Sequence, residues 1–464
     1  MRTFETYLVV GCVVAILWPA LFGIRSRRGI FAAGLVLLVI LQWQVEGYRW
    51  QLLPLYLVAL GLAVGDVITI ERDLPWFRRF GRGIFGLVGL GLVVAPAIIL
   101  PVPELPTPSG PLAIGTKTFE IAHSERQEVY GPSPGGRRRF VVQFWYPAEP
   151  EEGAEPVPWE PDVDVVAPAL AGRAGLPGFF FSQARYTLSH AYPDAPVHDG
   201  AFPLVIYSHA LAGFRTIALP QVEALVSQGY VVAAIDHPYG AVATVVDGEV
   251  AEFDAAAIEN PEATPEQARE ALALLVDTFA SDIVTLLDRL EEGTAGPLGD
   301  LASAIDANVI GLWGHGAGGG AALQVCLTDD RCNAVAGFDP LVAPLPNPVL
   351  ATTATEPMLW MRSDQARGTE NDAVLRGIVE RSETITYWVD LLGAETWDFV
   401  ATPLVSPIAD RLGLKGPIDG RRVMMINQRY LSGFFDRFLL GTGSAALDTA
   451  DFPEVDVELV DRRP

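Results

Sequence analysis

Lysine is almost missing from this chain: Lys117 and Lys415 are its only two. No glycine-rich turn is followed by one, so a Walker-type phosphate loop is excluded. Cysteine is scarce as well. Cys12 lies in an apolar run, where a small buried hydrophobe is the expected role. Cys326 and Cys332 flank LTDDR with no further His or Cys close by in sequence, so no metal site is expected, and no cofactor. In an oxidising compartment this pair would close a small disulfide loop. Histidine occurs six times, at 123, 190, 198, 209, 237 and 315, and never after 315. Net positive charge is absent too. The chain of 464 residues carries −24, which disfavours nucleic acid and anionic membrane as partners.

What the chain has in excess is apolar sequence, half of its residues, for a mean hydropathy of +0.29. The excess sits at one end. Residues 1–104 hold nine Arg and six acids, a net of +3, so −24 overall leaves −27 for residues 105–464. Four apolar runs, 6–24, 29–45, 52–70 and 83–102, approach the roughly 20 residues that a membrane-spanning helix needs. A bundle of about four transmembrane helices is therefore expected over 1–103. Arg25, Arg27 and Arg28 fill the first loop; Arg72, Arg78, Arg79 and Arg82 fill the third; the second has only Arg49 beside Glu46. Cytoplasmic loops are the Arg-rich ones. The chain beyond Val102 is then extracytoplasmic, and the bilayer is its first partner. Asp66 is a carboxyl inside the third run; it sits near a helix end, so interfacial solvation accounts for it. The proline-rich stretch 104–111 reads as a stiff linker.

From 112 to 464 short β-rich runs alternate with helical ones. Phe140–Tyr146, Leu204–Tyr207, Tyr230–Ile235, Val309–Trp313, Ala334–Phe338, Met358–Met361 and Ile385–Leu391 read as strands. Ile217–Gln228, Glu266–Glu292, Ala321–Leu327 and Met424–Leu440 read as helices. Such alternation predicts an α/β fold, a largely parallel sheet with helices on both faces. Residues 149–200, rich in Pro, Ala and acids, are expected to form an irregular excursion.

After the strand Val309–Trp313 comes Gly314-His315-Gly316-Ala317-Gly318. Strand, tight glycine-flanked turn and helix is the layout of the nucleophile elbow G-x-S-x-G. Its middle residue here is glycine. Backbone binding of phosphate at this turn is the weaker reading, since the G-x-G-x-x-G spacing and the lysine are both lacking.

Several blocks carry a resemblance: GPLAIGT, SERQE, RRRFVVQFWYPA, PLVIYSHALAGFRT, QGYVVAAIDHPYGA, GHGAGG, AGFDP and LLGAETWDF. Over about residues 111–440 the chain resembles the plasma-type platelet-activating-factor acetylhydrolases, carboxylester lipases with an α/β-hydrolase fold. The resemblance places Gly316 at the nucleophile position, where the family has serine. It places Asp339 at the triad acid and Thr396 at the triad histidine. It assigns the oxyanion-hole amides to Leu211 and Ala317, with Ala210 standing where the family has a glycine. Asp339 is also readable as a plain strand-end carboxylate.

A serine triad needs a hydroxyl that attacks, an imidazole that takes its proton and a carboxylate that orients the imidazole. Only the carboxylate remains, and no histidine follows His315 to supply the base. His209, His237 and His315 are expected in structural roles, and Ser208 at a strand end. The leading expectation is a membrane-anchored, catalytically inactive hydrolase domain binding a lipid or ester ligand. An active carboxylester or phospholipid-type hydrolase with a non-standard site is the alternative. A membrane interaction or signalling module is the third.

Overall fold

The computed structural model describes all residues except 23–28, 69–74, 133, 294–297, 444–446, 448–450 and 464. It divides into two units, Met1–Pro103 with Val405–Ile408, and Glu104–Leu404 with Ala409–Pro464.

The first unit holds helices Thr3–Phe22, Ile30–Glu46, Leu53–Val67 and Trp76–Ile99. Three helical stretches, Thr3–Phe22, Trp50–Val67 and Trp76–Ile99, are long and apolar enough to cross a membrane; Ile30–Glu46 is apolar but shorter. The last helix starts at Trp76, not at 83, because arginines do not break a helix. Arg78, Arg79 and Arg82 therefore ride on it. Residues 24 and 70, at the expected helix ends, and Arg25, Arg27, Arg28 and Arg72 lie outside the described residues. Large apolar side chains such as Phe85 and Leu92 face outward. Cys12 sits inside, with Leu8, Leu35 and Leu55. Polar groups also turn inward: Arg49 donates to Glu5 at 2.8 Å and to the carbonyl of Leu100 at 2.6 Å. Apolar outside and paired charge inside is the pattern for a helix bundle in hydrocarbon. Asp66 accepts from the amide of Ala32 at 3.3 Å.

The second unit is built on twelve strands: β1 Ala113–Gln127, β2 Arg137–Ala148, β3 Ala191–Pro193, β4 Phe202–Ser208, β5 Val231–Asp236, β6 Ala243–Val246, β7 Glu249–Glu252, β8 Ile305–His315, β9 Ala334–Phe338, β10 Met358–Ser363, β11 Ile385–Leu391 and β12 Val455–Asp461. Ten form one sheet in the order β12-β11-β10-β9-β8-β4-β5-β2-β1-β3, and β6 and β7 form a separate hairpin. The run β5-β4-β8-β9-β10-β11 is parallel. On its flanks β2 pairs with β5, and β12 with β11, antiparallel.

Successive strand residues point to opposite faces, so each central strand feeds two cores. Val205, Tyr207, Val232 and Ala234 enter one. Leu204, Ile206, Val231 and Ile235 enter the other. This is why these strands read as continuous apolar runs. Helices Leu219–Ser227 and Gly420–Phe438 bury their apolar sides in the first core. Helices Pro265–Glu291, Ala317–Thr328 and Glu370–Glu380 fill the second. Cys326 and Cys332 form a disulfide at the end of helix Ala317–Thr328.

The excursion between β2 and β4 holds helix Val163–Arg173 and is fastened to the segment after β4. Trp159 donates its indole N–H to the carbonyl of Thr216 at 2.7 Å. Thr216 gives its hydroxyl proton to Glu160. Arg215 bridges Asp162 at 2.7 Å and Asp236. Burial pushes the Glu160 carboxyl from 4.5 up to about 7; Arg215 opposes the rise and Asp236 adds to it. Between those two pH values the folded chain holds this proton and the unfolded chain does not. The associated stability is therefore full below pH 4.5 and lost as pH climbs through 7. Glu160→Gln is expected to flatten that part of the stability–pH curve, a difference of up to about 3 kcal/mol across the window. Urea unfolding of both proteins at pH 5 and pH 8 checks it.

Candidate active site

The chain turns sharply where β8 ends. Gly316 adopts φ 54° and ψ −117° and starts helix Ala317–Thr328. The neighbouring glycines are there because the chain passes very close to itself. A Cβ on Gly314 would stand 2.2 Å from the carbonyl carbon of Gly318, and one on Gly318 would stand 2.1 Å from the carbonyl oxygen of Ser208. Nothing larger than hydrogen fits at either place. The turn is pinned by Gly316 N–H to the carbonyl of Phe338 at 3.0 Å and by Leu341 N–H to the carbonyl of Gly316 at 2.8 Å. This is elbow geometry with nothing projecting from it.

Around Gly316 the fold gathers the other positions named from the sequence. Asp339 follows β9 with φ 42°, an uncommon conformation for a residue with a side chain. Its carboxylate accepts the Ser363 N–H at 2.8 Å and the Ser363 hydroxyl at 2.6 Å. Burial raises its pKa, opposed by those two bonds and by a hydrogen bond from Thr396. Thr396 opens a 3-10 turn after β11, and its Oγ1 lies 2.9 Å from Nε2 of His315. Burial holds the His315 imidazole neutral, with its pKa lowered to about 4. Gly316, Asp339 and Thr396 are each partly open to solvent.

The Asp339–Thr396–His315 chain has a polarity. A threonine hydroxyl owns one proton. The carboxylate is the stronger acceptor, so the proton goes to Asp339, and the imidazole offers its Nε2–H to Thr396 Oγ1. A ring nitrogen that carries a proton cannot take another from the same hydroxyl. On this tautomer His315 is not the base for Thr396, and the group that accepts its proton is Asp339.

Leu211 follows β4, next to Ala210, and Ala317 is the first residue of the helix after β8. Neither backbone N–H has an acceptor among the described residues. Ala212, next to Leu211, sits at φ 52°, and its N–H bonds to the carbonyl of Gly240 at 2.9 Å.

A second constellation was not legible in the sequence. Ser208 Oγ lies 2.9 Å from His237 Nε2, and His237 Nδ1 lies 2.9 Å from Asp282 Oδ2. The order is serine, imidazole, carboxylate, but all three are fully buried. Phe279 stacks on the His237 ring at 3.8 Å. Arg138 grips Asp282 at 2.6 Å, holding its carboxyl far below the usual range against the opposing effect of burial. His209 is also sealed, its Nε2 accepting from the amide of His237 at 3.2 Å. No substrate reaches Ser208, so this relay is structural. The signal that could have found it is Asp282 itself, standing among Leu275, Phe279 and Leu286 on the apolar stripe of a helix. Arg138→Ala would leave Asp282 charged, buried and short of its main partner. It is expected to cost about 3–5 kcal/mol, read by chemical denaturation; a loss under 1 kcal/mol would contradict the assignment.

Comparison with known proteins follows the same lines. The family described as platelet-activating factor acetylhydrolase, isoform II, matches residues 104–440. A platelet-activating factor acetylhydrolase from Canis lupus familiaris is 25% identical over 260 residues, covering 50% of this chain and 56% of the relative. The chain thus spans little more than half of that relative's length. A ferulic acid esterase from Streptomyces cinnamoneus superposes with a TM-score of 0.63 at 26% identity, over 77% of this chain and 99% of the esterase. The second unit has the α/β-hydrolase fold of an esterase, and the chain belongs to the platelet-activating factor acetylhydrolase isoform II family.

Proposed function

We propose that this chain is a membrane-anchored family member that binds an ester- or lipid-type ligand at the Gly316 turn and does not cleave it. The observation that carries this reading is the residue at the turn itself: the backbone holds φ 54° and ψ −117° with no side chain to attack. What remains is a binding surface. The amides of Leu211 and Ala317 are available to a carbonyl or carboxylate oxygen, as oxyanion-hole donors are. Trp397, beside Thr396, exposes an apolar ring. Shape and dispersion suffice to bind an acyl group, and neither needs a nucleophile. That two relatives are named as an acetylhydrolase and an esterase supports an ester-type ligand.

The hydroxyl–imidazole pair Thr396–His315 at 2.9 Å favours a second reading, hydrolysis at a non-standard site. The proton count above weighs against it. With a short-chain p-nitrophenyl ester, the full-length protein is expected to show no turnover above that of Thr396→Val. It is also expected to stay unlabelled by a fluorophosphonate, which needs an activated hydroxyl. Turnover abolished by Thr396→Val would make the second reading the right one.

Anchoring rests on the apolar helices of the first unit. Arg25, Arg27 and Arg28 after the first helix, and Arg72 with Arg78, Arg79 and Arg82 at the start of the last one, favour a cytoplasmic face for those ends and an extracytoplasmic second unit. The Cys326–Cys332 disulfide supports the same side, since such bonds persist in oxidising compartments. In denatured whole-cell extracts, a maleimide–polyethylene glycol is expected to shift the chain by one label at Cys12, and by three after reduction. Three labels without reductant would place the second unit in the cytoplasm.

A further inference from the structure

The methyl group of Ala210 crowds the place where a side chain at position 316 would begin. A Cβ on Gly316 would stand 3.0 Å from Cβ of Ala210 and 3.6 Å from its Cα. Carbon atoms in contact prefer about 3.5–4.0 Å, so one side would have to retreat. Neither can do so cheaply. Gly316 is tied through its N–H to Phe338, and through its carbonyl to the N–H groups of Leu341 and Gly320. On the other side, the carbonyl of Ala210 accepts from Gly213 N–H at 2.8 Å and lies 2.8 Å from Nδ1 of His209. The carbonyl of His209 accepts from Gly318 N–H at 3.1 Å, which ties the two segments together. A methyl on Cα has no torsion that moves it aside.

We infer that Ala210 and Gly316 form one steric unit, in which the Ala210 methyl crowds the first atom of any side chain at 316. An acyl ligand reaching the Leu211 and Ala317 amides then meets a methyl floor. A side chain returned to position 316 is crowded while Ala210 stays, and one of the two must shift by a few tenths of an ångström. This deepens the proposed function and rests on its assignment of Gly316 as the elbow residue.

The test is a double-mutant cycle in the full-length protein, with Gly316→Ser and Ala210→Gly separately and together, each also with Thr396→His. Gly316→Ser is expected to lower the unfolding midpoint by about 2–4 °C more with Ala210 present than with Ala210→Gly. Gly316→Ala, which adds the Cβ alone, is expected to show the same coupling and serves where the serine variant does not fold. With Thr396→His, fluorophosphonate labelling of Gly316→Ser is expected to be about tenfold faster when Ala210→Gly is added. Additive midpoint shifts together with equal labelling rates would overturn the inference. Coupled midpoints with no labelling of any variant would leave the steric unit standing and remove the acyl-transfer reading of the elbow.

Discussion

The constraint on which the site depends is the close passage of the turn after β8 against the end of β4. With Gly318 packed on the Ser208 carbonyl and Gly314 packed on Gly318, the backbone must fold sharply at 316 whatever residue stands there. The neighbouring loop is joined to it through Gly318 N–H and the His209 carbonyl. The shape of the elbow thus belongs to the main chain and survives loss of the side chain that gives such turns their chemistry. Removal of the side chain at 316 also removes a cost, because a residue with a Cβ at φ 54° is strained and glycine is not.

The positions around that turn differ in what they kept. Asp339 is still held by two donors from Ser363, as a working acid would be. Its third partner is a threonine, which joins it by hydrogen bonds to His315. The sealed Ser208–His237–Asp282 relay is a reminder that serine, imidazole and carboxylate at hydrogen-bond distance do not by themselves make an active site. Access decides, and here burial forbids it. Its strength comes from Arg138, which neutralises Asp282 inside the core.

The central strands were readable from their unbroken apolar runs, since both faces of the sheet are covered. The elbow was readable because its glycines are local to the turn. Gly316, Asp339 and Thr396 were named from blocks far apart in sequence, and they lie together in the folded chain. What could not be read is what depends on register across the sheet. Ser363 reaches Asp339 because β9 and β10 pair side by side. Asp282 reaches His237 from a helix 45 residues on. The β12 edge strand, VDVELVD, mixes charged and apolar residues on a partly exposed edge, and the apolar runs did not include it. The fourth apolar helix began early because its arginines hid its first two turns from an apolar reading.

The central claim, that this turn binds an acyl group and leaves it whole, is open to one direct observation. A short-chain ester carrying carbon-13 at its carbonyl can be followed by NMR with stoichiometric full-length protein. The account predicts a carbonyl resonance shifted or broadened by binding, with the ester intact after hours. Accumulation of free acid, or of a protein-bound acyl signal, would contradict it.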